Sequence, residues 1–318
     1  MARVLFLFMD GVGLGSADES INPLAAAAMP NLRSLLDGQP MVLEAAPFEG
    51  DKASLISLDA QLGVEGTPQS ATGQAVLLTG KNVPAAIGRH YGPKPNPEVA
   101  AFIKQDNLFC RIRRRDGQAR LVNAYPPQYF EAIDSGRRLL SAVPLAVHEA
   151  GIPLMTTEDL RNGKAMSADF TGAGWTARTE FPDIPVYEGP KAGELLAEIS
   201  FDLDLAFFDY WASDYAGHKQ AFDRAVSLME SFDDVLGGVI SAWEDRPDLI
   251  LLTSDHGNME DMRVRGHTLN PVPGLLIGPR TLRQKLTRQM SDLTSVAPAV
   301  MTTIYGDDWD QAWTIAGP

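Results

Sequence analysis

The stretch LLTSDHGNMEDMRVRGHT, residues 251–268, joins the end of an apolar run to an acid and two histidines. Of the five histidines in the chain, His256 and His267 fall here, and Asp255 directly precedes the first of them. The apolar run Leu249–Leu252 is unbroken, which is typical of a strand buried on both faces of a parallel sheet. We therefore predict a buried strand that leads into a polar, glycine-containing loop.

Two other apolar runs, Val4–Met9 and Leu205–Phe208, have the same unbroken character. An amphipathic helix is predicted between the second and third runs, because apolar residues recur there near a 3.6-residue period. These residues are Phe222, Ala225, Val226, Met229, Phe232, Leu236, Val239 and Ile240. Strands that alternate with helices predict an α/β fold with a doubly wound, mostly parallel sheet sandwiched by helices.

The middle of the chain has a different character. The segment CRIRRRDGQARLVNAY, residues 110–125, predicts a hairpin that turns at Asp116-Gly117, a favoured two-residue turn, with its arginines on the outer side. Residues 81–200 are nearly neutral, although the whole chain has a net charge of −14. We predict a discontinuous core, residues 1–84 and 191–318, and an inserted α+β cap, residues 85–190, that serves as the substrate domain.

Composition excludes some classes of function. The net charge of −14 argues against a nucleic-acid binder, which needs a basic surface to approach phosphates. A single cysteine, Cys110, excludes an internal disulfide and fits a reducing cytosol. The first apolar run is too short for a signal peptide, and no run approaches the ~18 apolar residues of a membrane span. We expect a cytoplasmic protein without a membrane partner; the oligomeric state stays open.

Each predicted strand runs into acids or histidines that could bind a metal ion. The candidate ligands are Asp10 after the first run, Asp214 and His218 after the second, Asp255 and His256 after the third, and His267. They should converge, because the carboxyl ends of strands line the ligand crevice of an open α/β sheet. Mixed oxygen and nitrogen ligands suit zinc or manganese, and such sites can hold two ions. One Asp-His pair in a loop would mean little; three acids at three strand ends predict a metal centre.

The segment TPQSATGQAVLLTG, residues 67–80, supplies a candidate nucleophile. Ser70 stands at the start of a predicted helix, where the helix dipole favours a developing alkoxide. Taken alone, Ser70 would be interpreted as an ordinary helix-capping serine. A neighbouring pair of metal ions favours the nucleophile, because cations lower the pKa of a hydroxyl.

This ordered set of residues resembles the alkaline phosphatase superfamily of metalloenzymes. In that family a Ser or Thr nucleophile stands ten residues before the glycine of a Thr-Gly pair, as Ser70 stands before Thr79-Gly80. The segments MDGVG, SDHGN and GHTLNPVP are most similar to the branch of cofactor-independent phosphoglycerate mutase and phosphopentomutase. The resemblance covers both ends of the chain and implies an alkaline phosphatase-like core.

The resemblance also implies two divalent metal ions, with Mn²⁺ favoured and Zn²⁺ the alternative. One ion would be held by Asp214, His218 and His267, and the other by Asp10, Asp255, His256 and the Ser70 oxygen. A phosphoserine formed at Ser70 would then be attacked by water in a phosphatase, or by a second substrate hydroxyl in a phosphomutase. The expected partner is a small phosphorylated metabolite.

Two departures from the family pattern leave the reaction open. Phosphoglycerate mutases have a larger insert and a histidine where this chain has Gln74, and phosphopentomutases have threonine where Ser70 stands. Phosphatase and phosphomutase therefore remain equal alternatives. A phosphodiesterase of the same superfamily, or a non-catalytic metal-binding protein that retains the fold, is the further alternative.

Basic residues in two segments are candidates for substrate binding. Arg89, His90 and Lys94 follow the nucleophile segment, and Arg263 and Arg265 precede His267. A phosphate ester needs cationic partners near the nucleophile, so these five side chains could border the entrance to the predicted site at Ser70. A solvated loop is an equally good interpretation of the first three.

Overall fold

The computed structural model describes residues 2–244 and 246–309. Its strands are β1 (Val4–Met9), β2 (Phe48–Glu49), β3 (Ala53–Leu58), β4 (Ala119–Leu121), β5 (Ala124–Tyr125), β6 (Met155–Thr156), β7 (Leu205–Tyr210), β8 (Leu249–Thr253) and β9 (Val272–Ile277). The helices of the first half are α1 (Pro23–Ala26), α2 (Pro30–Leu35), α3 (Ser70–Thr79), α4 (Val83–Ile87), α5 (Pro97–Gln105), α6 (Leu108–Arg113), α7 (Pro127–Asp134) and α8 (Ala142–Glu149). Those of the second half are α9 (Thr157–Arg161), α10 (Ala173–Thr176), α11 (Gly189–Ser200), α12 (Ala212–Lys219), α13 (Phe222–Trp243), α14 (Arg280–Thr287) and α15 (Val296–Tyr305). Short 3₁₀ helices span Leu43–Ala45, Leu293–Ser295 and Asp307–Trp309.

Seven strands form the main sheet, in the order β2-β3-β9-β8-β1-β7-β4. β1 lies at the centre of a parallel group and pairs with both β7 and β8, while β4 pairs in parallel with β7. β9 is antiparallel to β8 and β3, and β2 is antiparallel to β3. The predicted α/β fold with a mostly parallel sheet flanked by helices is confirmed.

The side chains of β1 explain why its sequence is unbroken and apolar. Leu5, Leu7 and Met9 belong to one hydrophobic cluster, which also contains residues of α11 and α13. Val4, Phe6 and Phe8 point to the opposite face and join residues of α3, α5, α8 and α15. Burial of each such side chain contributes roughly 1.5–3 kcal/mol, so helices cover both faces of the sheet. The predicted apolar stripe of α13 packs in the first of these clusters.

The predicted hairpin at Asp116-Gly117 is wrong. Residues 108–113 form helix α6, and the Asp-Gly turn connects this helix to β4. The helix forms because the Asn107 side chain caps it and because Leu108 and Ile112, four residues apart, are both buried. The partner of β4 is β7, a strand distant in sequence.

Arg111 is correspondingly not on an outer surface. Its side chain is buried, its Nε lies 2.6 Å from Asp106 Oδ2, and its Nη2 donates to the carbonyl of Thr79. The arginine therefore ties α6 to the end of α3. Its neighbours Arg113 and Arg115 are exposed and partly exposed, respectively.

Part of the predicted cap lies within the main fold. β4 is a strand of the main sheet, and buried residues of α5, α6 and α8 belong to the same cluster as α3. A third, smaller hydrophobic cluster consists of Ala124, Met155, Leu160, Ala165, Trp175, Phe181 and Ile184. Domain boundaries at residues 85 and 190 stay a prediction. Within the described ranges, no helix combines the length and apolarity that crossing a bilayer requires.

A buried arginine holds one end of the sheet together. The side chain of Arg283, in α14, is 0% exposed, and its Nη1 lies 3.0 Å from Glu49 Oε1 in β2. Its remaining donors bond the carbonyl oxygens of Gly50, Asp51 and Gly278. Arg283 thus joins α14 to the hairpin of β2 and β3, while Arg280 in the same helix reaches Glu49 only at 3.8 Å and is largely exposed.

We predict that Arg283→Met lowers the free energy of unfolding by about 3 kcal/mol, because several buried acceptors lose their donors. Arg280→Met is the matched control and should cost less than about 1 kcal/mol, as an exposed ion pair does. Urea unfolding followed by circular dichroism measures both. Equal losses for the two variants would contradict the assignment.

Candidate metal centre

The first group of predicted ligands lies where two neighbouring strands end. Asp10 follows β1 directly, and Asp255 and His256 follow β8 after one intervening residue. Because β1 pairs with β8, these positions are adjacent in space. His256 Nε2 lies 3.5 Å from Asp10 Oδ1 and 3.5 Å from Asp255 Oδ2. One ligand atom from each side chain falls within 4.8 Å of the others.

The second group consists of Asp214, His218 and His267. Asp214 and His218 lie on one face of α12, as their i, i+4 spacing predicts, with Oδ2 and Nε2 3.3 Å apart. His267 Nε2 lies 3.3 Å from His218 Nε2 and 3.7 Å from Asp214 Oδ1. His267 Nδ1 lies 2.7 Å from the carbonyl of Pro68, which can only accept, so in the neutral ring Nε2 carries the lone pair.

The two groups are in direct contact through His256 and His267. The rings of His256 and His267 are stacked, with centroids 3.6 Å apart and an interplanar angle of 16°. Asp214, His256 and His267 also place ligand atoms within 4.8 Å of one another. The structure therefore brings together all six side chains predicted from the strand ends.

Ser70 lies beside the first group. It is the first residue of α3, it is 7% exposed, and its Oγ lies 3.0 Å from His256 Nε2. The helix cap is Gln69, so the alternative of a capping role for Ser70 is wrong. Gly73, one turn further on, allows this close approach: a Cβ there would lie 2.7 Å from the carbonyl oxygen of Asp255.

Burial and mutual repulsion change the proton affinities of this cluster. Burial, reinforced by Asp255 and Asp214, holds the pKa of Asp10 well above its ordinary value. Burial, reinforced by Asp214, raises the pKa of Asp255 to about 7. Burial, reinforced by His267, lowers the pKa of His256 to about 3, so its imidazole is neutral and offers a lone pair.

In the described part of the chain, one carboxylate oxygen of the first group has no hydrogen-bond donor. Asp10 Oδ1 is buried and has no hydrogen-bond partner among the described residues. The Gln74 amide donates to Asp10 Oδ2 at 3.3 Å and to Asp255 Oδ2 at 3.1 Å. An unpaired buried carboxylate oxygen beside the neutral His256 ring is costly unless a cation binds there. The donor set therefore fits divalent ions with mixed oxygen and nitrogen ligands.

Three polar residues that support the cluster were not identified from the sequence. Buried Glu260 accepts from the backbone N–H groups of Gly13 and Asn258 and from the side chains of Thr268 and Asn270, which ties together the loops after β1 and β8. Asn258 Nδ2 donates to Asp214 Oδ1 at 2.6 Å. Gln74 is the third. Asn258 and Glu260 lie inside residues 251–268, on either side of Met259, which is buried. A polar residue on each side of an apolar one was the sequence signal that could have identified them.

Within residues 2–244 and 246–309, no hydrogen bond or ion pair joins the predicted substrate-binding residues to the six side chains. Arg89 pairs with Glu98 at 2.6 Å, and Arg263 pairs with Asp261 at 2.7 Å. His90 Nε2 lies 3.3 Å from the Val64 carbonyl, Lys94 donates to the Leu139 carbonyl at 3.2 Å, and Arg265 is exposed. The segment that carries Arg89, His90 and Lys94 does approach the helix of Ser70, because Thr72 N donates to the Tyr91 carbonyl. Substrate binding by these residues stays a prediction.

A related sequence pattern occurs in known proteins. Residues 190–307 match the family model described as the Metalloenzyme superfamily. The 2,3-bisphosphoglycerate-independent phosphoglycerate mutase of Halobacterium salinarum is 29% identical over 136 residues, which cover 39% of this chain and 27% of that enzyme. The matched part thus spans little more than a quarter of this relative.

Two solved structures share the fold along nearly the whole chain. The PH0037 protein from Pyrococcus horikoshii superposes with a TM-score of 0.55 at 14% identity, covering 96% of this chain and 97% of that one. The alkaline phosphatase from the Antarctic bacterium TAB5 gives 0.53 at 12% identity, covering 95% and 97%. Such low identities establish similarity of fold only. Together with the family model, they confirm the superfamily resemblance inferred from the sequence.

The raised pKa of Asp255 predicts how pH affects the metal-free protein. The folded state holds this proton up to about pH 7, whereas the unfolded chain releases it near pH 3.8. Proton binding to Asp255 therefore stabilises the folded state fully below the unfolded pKa. This stabilisation is lost as pH rises through the folded pKa. In chelator, Asp255→Asn should become more stable than the wild type as pH rises from about 4 to 8, by an amount on the order of 3 kcal/mol. Denaturant unfolding at several pH values measures the difference, and a difference that does not change with pH would contradict this prediction.

Proposed function

We propose that this chain, which has the sequence pattern and fold of the alkaline phosphatase superfamily, is a two-metal phosphoryl-transfer enzyme. Its reaction would be that of a phosphatase or phosphomutase on a small metabolite phosphate ester. The observation that carries the proposal is the position of Ser70 Oγ, 3.0 Å from His256 Nε2 at the edge of six converging acids and histidines.

Each predicted ligand has a place in this scheme. Asp214, His218 and His267 would hold one divalent ion, and Asp10, Asp255, His256 and Ser70 Oγ the other; Mn²⁺ is favoured and Zn²⁺ is the alternative. When bound, the ions neutralise the carboxylates, lower the pKa of the Ser70 hydroxyl and stabilise charge on the departing oxygen. Gln74 would orient the carboxylates of Asp10 and Asp255 through its amide.

Ser70 performs the covalent step. Its Oγ, having lost its proton, attacks the phosphorus atom in line with the ester oxygen; an O–P bond forms and the ester P–O bond breaks. The alcohol leaves with a proton, and Ser70 carries the phosphoryl group. Attack by water would release inorganic phosphate and regenerate Ser70. Attack by another hydroxyl of a retained alcohol would give an isomer of the substrate.

The predicted cap would decide between these outcomes by admitting or excluding water. A panel of metabolite phosphates, assayed in Mn²⁺ for both phosphate release and isomer formation, distinguishes the two reactions. Release of phosphate from several esters identifies a phosphatase, and isomer formation without release identifies a mutase.

We predict that Ser70→Ala abolishes turnover and trapping of labelled phosphate on the protein, because the nucleophilic oxygen is removed. Metal content, measured by atomic emission, should remain, since the six acids and histidines are unchanged. Ser227→Ala, at an exposed serine of α13, is the matched control and should behave as wild type. A Ser70→Ala protein with wild-type turnover would exclude the covalent route.

We also predict that chelation lowers the melting temperature of the wild type by about 5–10 °C, because ions bound only to the folded state stabilise it. Differential scanning calorimetry with and without chelator measures the shift, and metal analysis confirms removal. An unchanged melting temperature after complete removal would contradict the metal centre.

A further inference from the structure

Two large aromatic side chains are exposed beside the second group of predicted ligands. Trp211 and Tyr215 are 54% and 55% exposed, although most large apolar residues of the fold are buried. Trp211 directly precedes α12 and has helical backbone angles, φ −86° and ψ −9°. The helical geometry therefore continues back to residue 211.

Their spacing places them next to Asp214 and His218. Positions 211, 214, 215 and 218 follow the i, i+3, i+4, i+7 pattern that puts four side chains on one helical face. Neighbours on such a face have Cβ atoms about 5–6 Å apart. The aromatic rings and the two predicted ligands thus form a single stripe, and His218 itself is 45% exposed. The exposed side of the second group is therefore bordered by two aromatic side chains.

The loop that carries His267 has the same character. Val264 and Leu269, on either side of it, are 42% and 57% exposed. Seven large apolar residues are exposed in the described part of the chain, and four of them lie in segments 211–215 and 264–269. These two segments also carry Asp214 and His267, so this concentration of exposed apolar residues indicates a binding surface beside the predicted ligands.

We propose that Trp211 and Tyr215 form a stacking surface for a planar ring on the substrate alcohol. The substrate class is then phosphate monoesters whose alcohol carries a nucleobase or another aromatic ring. This inference rests on the proposed function. There Ser70 Oγ would join the ion held by Asp10, Asp255 and His256, so the ion held by Asp214, His218 and His267 would be the one to stabilise the departing oxygen. The alcohol attached to that oxygen would lie along the stripe.

A positively charged residue, Lys219, lies at the end of the stripe, where an anionic ester would bind. Lys219 Nζ lies 5.5 Å from the centre of the Tyr215 ring. The ammonium group makes a cation–π contact with the Tyr215 ring and could also attract an anionic ester. A flat ring that covers Trp211 would remove apolar surface from water without requiring new hydrogen bonds, so stacking tolerates many kinds of ring.

Binding to the Ser70→Ala protein loaded with Mn²⁺ tests the proposal without turnover. Adenosine 5′-phosphate and ribose 5-phosphate carry the same sugar and phosphate and differ in the base, so calorimetric titration of each isolates the contribution of the ring. We expect adenosine 5′-phosphate to bind roughly tenfold more tightly. Adding Trp211→Ala should remove most of this ratio, and Trp211→Phe should restore most of it.

Val186→Ala, at another exposed apolar residue, is the matched control and should leave the ratio unchanged. An arm with 1-naphthyl phosphate distinguishes a nucleobase from an aromatic ring in general: preference for either ring over ribose 5-phosphate supports the stacking surface. Equal binding of all three esters, or a ratio that survives Trp211→Ala, overturns it. Absence of turnover by the wild type would count against the proposed function alone, because the binding ratios are measured independently.

Discussion

The proximity of Asp10, Asp214 and Asp255 is the constraint on which the arrangement of this protein depends. Burial disfavours the charged form of a carboxyl group, and each of the three also disfavours ionisation of its neighbours. The effect is visible at Asp10 and Asp255, whose pKa values are raised by burial and by nearby acids. Protonation of Asp10 and Asp255 relieves this repulsion at low pH, and bound divalent ions would relieve it at neutral pH.

The sheet and its loops meet this constraint in different ways. Helix packing on both faces fixes the directions of β1, β7 and β8, and thereby the positions at which their carboxyl ends deliver side chains. The loops that follow are fixed by hydrogen bonds, chiefly to buried Glu260, which accepts from donors on both sides of the cavity. The proposed nucleophile, Ser70, comes from a separate helix, and Gly73 lets that helix approach the Asp255 backbone. Strands packed on both faces and hydrogen-bonded loops together hold the predicted ligands in place, as a pre-organised site requires.

Much of this was predictable because it depends on local pattern. Unbroken apolar runs identified β1, β7 and β8, and the rule for strand carboxyl ends then grouped six acids and histidines that span most of the chain. The hairpin at Asp116-Gly117 failed for a physical reason. An Asp-Gly turn has the same local chemistry whether a strand or a helix precedes it, and only the pairing of β4 with distant β7 distinguishes the two cases. Arg111 was misplaced with it, because the helix that replaces the predicted strand turns its side chain towards Asp106, five residues earlier. The hydrogen bonds by which Gln74, Asn258 and Glu260 hold the acids and loops in place were also not predicted. Partners that are distant in sequence leave no periodic pattern in it.

The most direct test is a crystal structure of the protein grown with excess Mn²⁺ and measured at the manganese absorption edge. The account predicts two anomalous peaks in the cavity, one bounded by Asp10, Asp255, His256 and Ser70, and the other by Asp214, His218 and His267. An ordered cavity with those side chains in place and no anomalous peak among them would contradict the account.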